Sequence, residues 1–545
     1  MVVARNSSGL PRKGSMRLGA SAVVLVTLIA LSACSSTDRL RVDGQKEMPN
    51  IVFIMADDLG WRDTGIYGST FYETPHIDAL AKRGMLFTNA YTANPTCSPT
   101  RASIMTGLWP SRIGFTAPNG ADRRIRLKAE MKRRNRPSYR ATTARSVTRL
   151  DLNYVTLAET LQAAGYRTGH FGKWHLGQQP YDPLHQGFDV DVPRYWGAGP
   201  ARDYVAPWNF PSALDFYGNP GDHLEDRMAE EAVKFIIENK AQPFFLNYWS
   251  WSVHSRYDAK KALIEKYRSK IDPANPQRNP VMAAMIESLD DAVGTLMKSL
   301  EDEGLADNTI VVFFSDNGGN MYDRVDNVAP TNNWPLRGGK GTIYDGGTRS
   351  PLVFIWPEAV KGGTKSQDIV QSIDFYPTFL DMLNLETPEG LEFDGVSFLP
   401  ALKGRHLDRE AIFCHWPHNP PHTGAKSSTY VRKGDWKLIR FYYDGDKQPD
   451  DTYAHRYELY NLKYDPGELN NLANAQPGEV QKLDALIETF LINSETLAPR
   501  PNPYYDAATE ALLPDIEALN TGSAYGIPVP KDPVYAPKPA LKKPR

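Results

Sequence analysis

The sequence predicts an α/β protein: a large, mostly parallel central sheet flanked by helices, then a smaller C-terminal subdomain with a short antiparallel sheet and a helix. Three observations predict it. A short, continuous apolar run at residues 51–55 and largely apolar strands at 244–249 and 310–314 alternate with helical patterns. Strands buried on both faces read this way, because crossover helices cover a parallel sheet. Each run then hands the chain to polar groups, namely Asp57 and Asp58, His254, and Asp316 and Asn317. In doubly wound sheets the active groups collect at the carboxyl ends of strands. From about residue 410 the pattern shifts to short antiparallel-type pieces, such as 430–439 and 457–461.

Taken in order, the chain opens with a targeting segment. Arg5, Arg12, Lys13 and Arg17 precede an apolar run over 18–33 that is short for a bilayer span. It ends in Leu31-Ser32-Ala33-Cys34, which resembles a bacterial lipobox and implies Cys34 as the lipidated first mature residue. The alternative is an ordinary secretory signal cleaved near Ala33. Loss of residues 1–33 removes four basic residues and no acidic one, moving the net charge from −2 to −6. That charge argues against a nucleic-acid partner. The 545 residues, 41% hydrophobic and 23% charged, can bury a substantial core. Three cysteines, Cys34, Cys97 and Cys414, exclude a disulfide framework, so an exported chain must rely on packing.

Residues 75–86 read as a helix, and 97–107 as a loop turning into one: Pro99 suits a first turn and Gly107 a C-terminal cap. A cysteine just ahead of a helix start sits where unpaired N–H groups gather and attract anions, and Arg101 lies on the same face. Residues 157–164 form a helix closed by Gly165, followed by a strand at 166–170 that leads into Gly172-Lys173-Trp174-His175-Leu176-Gly177. Residues 223–239 are an amphipathic helix, 281–303 a long helix ended at Gly304, and 475–492 a helix of the C-terminal part. The tail beyond 526 is rich in Pro and Lys.

Asp57, Asp58, Asp316 and Asn317 offer hard oxygen donors, which favour Ca²⁺ or Mg²⁺ over zinc. Paired Asp after a strand also suits a plain turn, but two such pairs after two apolar strands favour a metal site. Lys173 and His175, two apart, point the same way in an extended segment. Lys340 lies in Leu336-Arg-Gly-Gly-Lys-Gly-Thr342, where glycines permit close approach to a ligand.

The Cys97-Ser-Pro-Thr-Arg101 motif resembles the signature of the type I sulfatases. Ala56-Asp-Asp-Leu-Gly60, Gly165 through Gly177, Ser315-Asp-Asn-Gly318, Gly338-Gly-Lys-Gly341 and Asp345-Gly-Gly-Thr-Arg349 extend that resemblance from Pro49 to about Ala473. It implies the sandwich fold of the alkaline phosphatase superfamily and conversion of Cys97 to formylglycine (3-oxoalanine), whose hydrate is the nucleophile. It implies Asp57, Asp58, Asp316 and Asn317, completed by the modified Cys97, as Ca²⁺ ligands, with Mg²⁺ as the alternative. By the same resemblance Arg101 and Lys173 hold the nucleophile and the sulfate, His175 assists collapse of the sulfated hemiacetal, and His254 and Lys340 serve the leaving alkoxide. Around the acid histidine the family usually shows Pro-His-x-Pro, where this chain has Ser252-Val253-His254-Ser255. A formylglycine-generating maturation enzyme is an implied partner.

The expected organisation is a signal peptide at 1–33, a tether at 34–48, a catalytic domain at 49–410, a C-terminal subdomain at 411–500 and a Pro-rich tail at 501–545. The expected activity is sulfate-ester hydrolysis on sulfated carbohydrate, by a lipoprotein anchored in the periplasm or at the outer-membrane surface. Two alternatives stand beside it, a formylglycine-dependent phosphonate or phosphodiester hydrolase and a non-catalytic lipoprotein that binds sulfated glycans. Two further features point to the substrate. Cys414-His-Trp-Pro-His-Asn-Pro-Pro-His422 resembles a histidine-rich loop near the pocket of related bacterial enzymes, so His415 and His418 are substrate candidates, although a proline-stiffened connection reads equally well. Residues 121–149 carry eleven Lys/Arg against Asp122 and Glu130. Arg133, Arg134 and Arg136 in this stretch are placed to steer a polyanion, the alternative being a solvated, flexible insertion.

Overall fold

The computed structural model describes residues 48–211, 216–512 and 520. The signal peptide, Cys34, the tether up to residue 47 and most of the Pro-rich tail lie outside the described residues. The strands are β1 (Asn50–Ala56), β2 (Met85–Tyr91), β3 (Glu130–Met131), β4 (Ala144–Arg145), β5 (Arg167–Gly172), β6 (Val190–Val192), β7 (Phe244–Trp249), β8 (Thr309–Ser315), β9 (Leu352–Ile355), β10 (Thr364–Gln371), β11 (Ile412–Trp416), β12 (Ser428–Lys433), β13 (Trp436–Phe441) and β14 (Arg456–Asn461). The helices are α1 (Pro75–Arg83), α2 (Cys97–Thr106), α3 (Leu157–Ala163), α4 (Leu224–Asn239), α5 (Lys261–Arg268), α6 (Pro280–Asp302), α7 (Asp345–Thr348), α8 (Phe375–Leu383), α9 (Leu399–Leu402), α10 (Pro477–Asn493) and α11 (Ala507–Glu510).

Eight strands form the central sheet in the order β10-β2-β9-β8-β1-β7-β5-β6. β9 runs against both of its neighbours, and every other pairing is parallel. β1, the most apolar run, occupies the middle, flanked by β7 and β8. All seven of its residues are buried, because alternate side chains enter opposite layers of core. Val52 and Ile54 join α4 and α6 on one face, while Ile51, Phe53 and Met55 join α2, α3 and α8 on the other. Central placement brings the polar ends of β1, β7 and β8 to one rim.

The expected helix at 75–86 ends at Arg83, and β2 starts two residues later at Met85. Gly84 stops the helix in an extended conformation, and the apolar Met85, Leu86 and Phe87 pair with β9 rather than complete another turn. α3 carries a capping box, Thr156 with Glu159. The C-terminal sheet, order β11-β12-β13-β14, is wholly antiparallel and packs against α10 through Val431, Leu438, Leu459, Leu483 and Ile487. Among the described residues no helix is long and apolar enough to cross a membrane.

Candidate active site

α2 starts at Cys97 and stops at Gly107, whose φ of +68° is the left-handed cap conformation that favours glycine. Every residue of α2 is buried, although its sequence is largely small and polar. Its polar groups are satisfied internally: Ser103 Oγ lies 2.6 Å from Ser372 Oγ, and Thr106 Oγ1 donates to the Ala102 carbonyl at 2.8 Å. The helix start is thus driven into the rim of the sheet, a cost few sequences accept without a functional return.

Around Cys97 the strand ends converge. Asp57 and Asp58 follow β1, and Asp58 takes a φ of +65°, a strained conformation for a residue with a side chain. Asp57 Oδ1 lies 3.5 Å from Cys97 Sγ. Three cations answer three carboxylates one to one. Lys173 Nζ donates to Asp57 Oδ2 at 2.5 Å, Lys340 Nζ to Asp58 Oδ2 at 2.7 Å, and Arg101 to Asp316 Oδ2 from Nε at 2.9 Å and Nη2 at 2.7 Å. Arg101 Nη1 also reaches the Lys173 carbonyl at 2.5 Å, which ties α2 to the segment after β5. Asn317 Nδ2 donates to Asp58 Oδ1 at 2.8 Å.

The two histidines differ. His175, at φ +56°, is held through its backbone: Ser98 Oγ donates to its carbonyl at 2.7 Å. Gly120 packs so close that a Cβ there would stand 1.7 Å from the His175 oxygen. Both ring nitrogens of His175 are buried without a hydrogen-bond partner among the described residues. His254 sits on the turn after β7, where Asp57 N–H donates to the Ser252 carbonyl at 2.8 Å and Val253 N–H to the Asp57 carbonyl at 2.6 Å. His254 Nδ1 faces the Ser255 carbonyl at 2.5 Å, so that nitrogen carries the proton, and Nε2 stands 3.9 Å from Asp58 Oδ2.

Burial sets the charges. It pushes the Cys97 thiol up to about 12, with Asp57 adding to the rise. Asp57 itself is pushed up to about 8, by burial first and then by Asp316. Burial also acts to raise Asp58, but Lys340, His254 and Lys173 outweigh it and hold that carboxyl well below its usual range. His175 and His254 are both driven far down, first by burial and then by Lys173 and Lys340 respectively, so both are neutral.

The residues fit a hard divalent cation. One ligand atom from each of Asp57, Asp58, Cys97 and His254 falls within 4.8 Å of the others. Asn317 Oδ1 is buried with no partner among the described residues, an orphaned oxygen at the edge of this group. Asp57, Asp58, Asp316 and Asn317 supply only oxygen, the donor set of Ca²⁺ or Mg²⁺.

A cleft of about 620 Å³ opens beside Lys340, with Lys132, Arg134, Arg136, Trp416 and His418 among its lining. His418 Nε2 meets Thr116 Oγ1 at 2.9 Å. His415 is not among the lining residues: the alternation of β11 turns it under Tyr442, where Nδ1 meets Thr429 Oγ1 at 2.7 Å. Exposed Arg133 is outside the lining too, whereas its neighbours Lys132 and Arg134, in the bend just after β3, line the cleft. Sequence reasoning passed over Lys132, Ser98 and His422. Their signal was weak, since each is a common surface residue until the fold sets it beside a site.

Residues 49–385 match the family model described as Sulfatase, and residues 339–494 that described as N-sulphoglucosamine sulphohydrolase, C-terminal. A protein named Sulfatase from Formosa agariphila is 31% identical over 86% of this chain and 92% of its own length. The N-acetylgalactosamine-6-sulfatase of Homo sapiens is 33% identical over 84% of this chain and 87% of its own. The crystal structure of Ps i-CgsB in complex with k-i-k-neocarrahexaose superposes with a TM-score of 0.66 at 26% identity, covering 86% of this chain and 96% of that one.

Proposed function

The chain belongs to the sulfatase family, and from that premise we propose that it hydrolyses sulfate esters on sulfated poly- or oligosaccharides, with Cys97 oxidised to formylglycine and Ca²⁺ held by Asp57, Asp58, Asp316 and Asn317. One observation carries the reading: three cations, buried Arg101 and Lys173 and part-buried Lys340, paired one to one with three buried carboxylates around Cys97, at the foot of a basic cleft. When present, oxidised Cys97 supplies a hydrated aldehyde as nucleophile and the cation supplies Lewis acidity toward it and the sulfuryl oxygens.

This chain's own residues supply the rest. With the carboxylates engaged by a divalent cation, Lys173 and Lys340 are free to turn from Asp57 and Asp58 to the oxygens of a sulfate. Charge builds on those oxygens and on the leaving oxygen in the transition state, so fixed cations stabilise it more than the ground state. Arg101 holds its place through Asp316 and positions the Lys173 backbone. His254 Nε2 faces the site, where it would take up the proton shed by the attacking nucleophile and pass it to the leaving alkoxide. His175, neutral and with both ring nitrogens unpartnered among the described residues, would accept a proton at a ring nitrogen as sulfate is released.

The same reading has residues 1–33 removed on export and Cys34 lipidated, which anchors the protein in the periplasm or at the outer-membrane surface. A maturation enzyme must act before folding, because Cys97 is buried in the finished fold. Globomycin-sensitive processing with detergent partitioning supports the anchor; a soluble product with an unmodified N-terminus elsewhere contradicts it.

The activity is tested by paired assays of matured protein on defined sulfated oligosaccharides and on phosphate and phosphonate esters. Turnover of sulfate esters is expected to dominate. Faster phosphonate cleavage would make the chain a phosphonate hydrolase, and glycan binding without turnover would make it a binding lipoprotein.

A further inference from the structure

The insertion at 121–149 is an ordered wall. β3 pairs with β4, Lys132 N–H donates to the Thr143 carbonyl at 2.9 Å, and Asn135 Oδ1 accepts from Thr143 N–H at 2.8 Å. Ala144 N–H donates to the Pro417 carbonyl at 3.1 Å, and Asn502 Nδ2 to the Arg136 carbonyl at 2.9 Å. These bonds fasten the wall both to the histidine-rich loop and to the C-terminal segment.

Its charges are unevenly spent. The two acids of the stretch are used locally: Asp122 pairs with Arg124 and Glu130 with Arg145. Arg140 pairs with Glu510. Lys132, Arg134 and Arg136, the insertion's three cations on the cleft, form no ion pair among the described residues. Lys132, like Arg134 and Arg136, is exposed, and crowding by the surrounding wall, then Arg145 and Arg136, lower its pKa. Neighbouring His418 is neutral, held at about 3 by burial and by Lys132. The lining acid, Asp323, is already engaged by Asn320 Nδ2 at 2.9 Å and Tyr257 Oη at 3.2 Å. Three like charges set together on one wall of a cleft repel one another until an anion answers them. Lys340 on the same cleft already serves the reacting end, so this wall faces another part of whatever enters.

We propose that Lys132, Arg134 and Arg136 form a second anion site, which takes a sulfate or carboxylate on a sugar adjoining the one that carries the scissile ester. The proposal rests on the sulfatase reading and adds that the preferred substrate bears at least two anionic groups. Charge also sets a salt dependence, because the exposed Arg134 and Arg136 are screened as ionic strength rises.

The test measures binding, so that its failure is distinct from a failure of the sulfatase reading, which would show as absent turnover in matured wild type. Full-length Cys97→Ala protein, with and without Arg134→Ala/Arg136→Ala, is titrated by calorimetry with three probes. These are 4-nitrophenyl sulfate, a κ-carrageenan tetrasaccharide (sulfates only) and a chondroitin 6-sulfate tetrasaccharide (sulfates and carboxylates). The double substitution is expected to weaken a tetrasaccharide tenfold or more relative to 4-nitrophenyl sulfate, and to flatten the salt dependence of its Kd. Loss with carrageenan identifies sulfate as the second anion; loss confined to chondroitin identifies carboxylate. Arg134→Glu should weaken the same tetrasaccharide further. Tetrasaccharide affinities that change no more than that of 4-nitrophenyl sulfate overturn the proposal, provided the variants melt as their parent does.

Discussion

Arg101 grips Asp316 through two nitrogens, Nε at 2.9 Å and Nη2 at 2.7 Å, with both side chains wholly buried. A forked guanidinium matches one carboxylate in a way that a lysine ammonium cannot. In protein stripped of metal, Arg101→Met leaves Asp316 charged, buried and unanswered, and removing one partner of a buried pair costs about 3–5 kcal/mol. The urea midpoint of the variant should fall accordingly, with turnover abolished. Arg101→Lys keeps the charge, so it should recover part of the stability but little of the activity, because the tie to the Lys173 carbonyl is lost. A Met variant that unfolds with wild type would show that the pair holds nothing together.

Oxidation of Cys97 is expected whenever a maturation system is co-expressed. Peptide mass spectrometry of the tryptic fragment should show the 3-oxoalanine form, and its fraction should track specific activity across preparations. Cys97→Ala should abolish turnover while leaving thermal stability close to wild type, since among the described residues the thiol makes one polar contact, at 3.5 Å to Asp57. Fully active protein carrying an unmodified thiol would remove the nucleophile from the mechanism.

Chelation should inactivate the matured enzyme, and Ca²⁺ should restore it better than Zn²⁺, because Asp57, Asp58, Asp316 and Asn317 offer oxygen alone. Asn317→Ala removes the orphaned amide oxygen and should raise the Ca²⁺ concentration needed for half-maximal recovery tenfold or more. Elemental analysis of active protein that finds stoichiometric zinc without calcium or magnesium would sink this assignment.

Parts of this site were legible in the sequence for a physical reason. β1, β7 and β8 are buried along their whole length, so they read as six- and seven-residue runs that are largely apolar, and their polar ends announced the rim of the sheet. The Cys97 helix was legible too, since Pro99 and Gly107 punctuate it. β2, β9 and β10 were not read: Met85–Tyr91 mixes Thr88 and Asn89 into an apolar run, and Thr364–Gln371 is mostly polar at the sheet edge. The cleft was legible only as a charge run. Which of its cations turn inward depends on a two-residue strand pairing, β3 with β4, that no local pattern signals. His415 and His418 are three apart, yet one faces the C-terminal core and the other the cleft, because β11 ends between them.

Acid sensitivity should have an identifiable contributor in His223. It caps α4: its Nδ1 accepts from Glu225 N–H at 3.3 Å, which leaves the proton on Nε2, buried without a partner among the described residues. Burial first, then Lys260, lowers its pKa from 6.5 to about 3. The unfolded chain therefore takes up a proton near the ordinary histidine value, and the folded chain only near 3. Stability from this group is complete above about pH 6.5 and drains away as pH falls toward 3, the direction expected of a depressed pKa. His170, His415 and His418, each held at about 3, share that sign. Asp191, raised to about 8, and Asp63 and Asp290, raised to about 6, carry the opposite one, since their neutral forms are lost as pH rises. All six are common to wild type and variant, so the difference between the two proteins isolates His223. His223→Asn keeps a side-chain acceptor at the cap and removes the titration. Urea midpoints measured from pH 7.5 to 4.5 should fall less steeply for the variant than for wild type, with the two lines diverging only below about pH 6.5. Parallel lines across that range would mean that folding leaves the His223 imidazole as easily protonated as in the open chain.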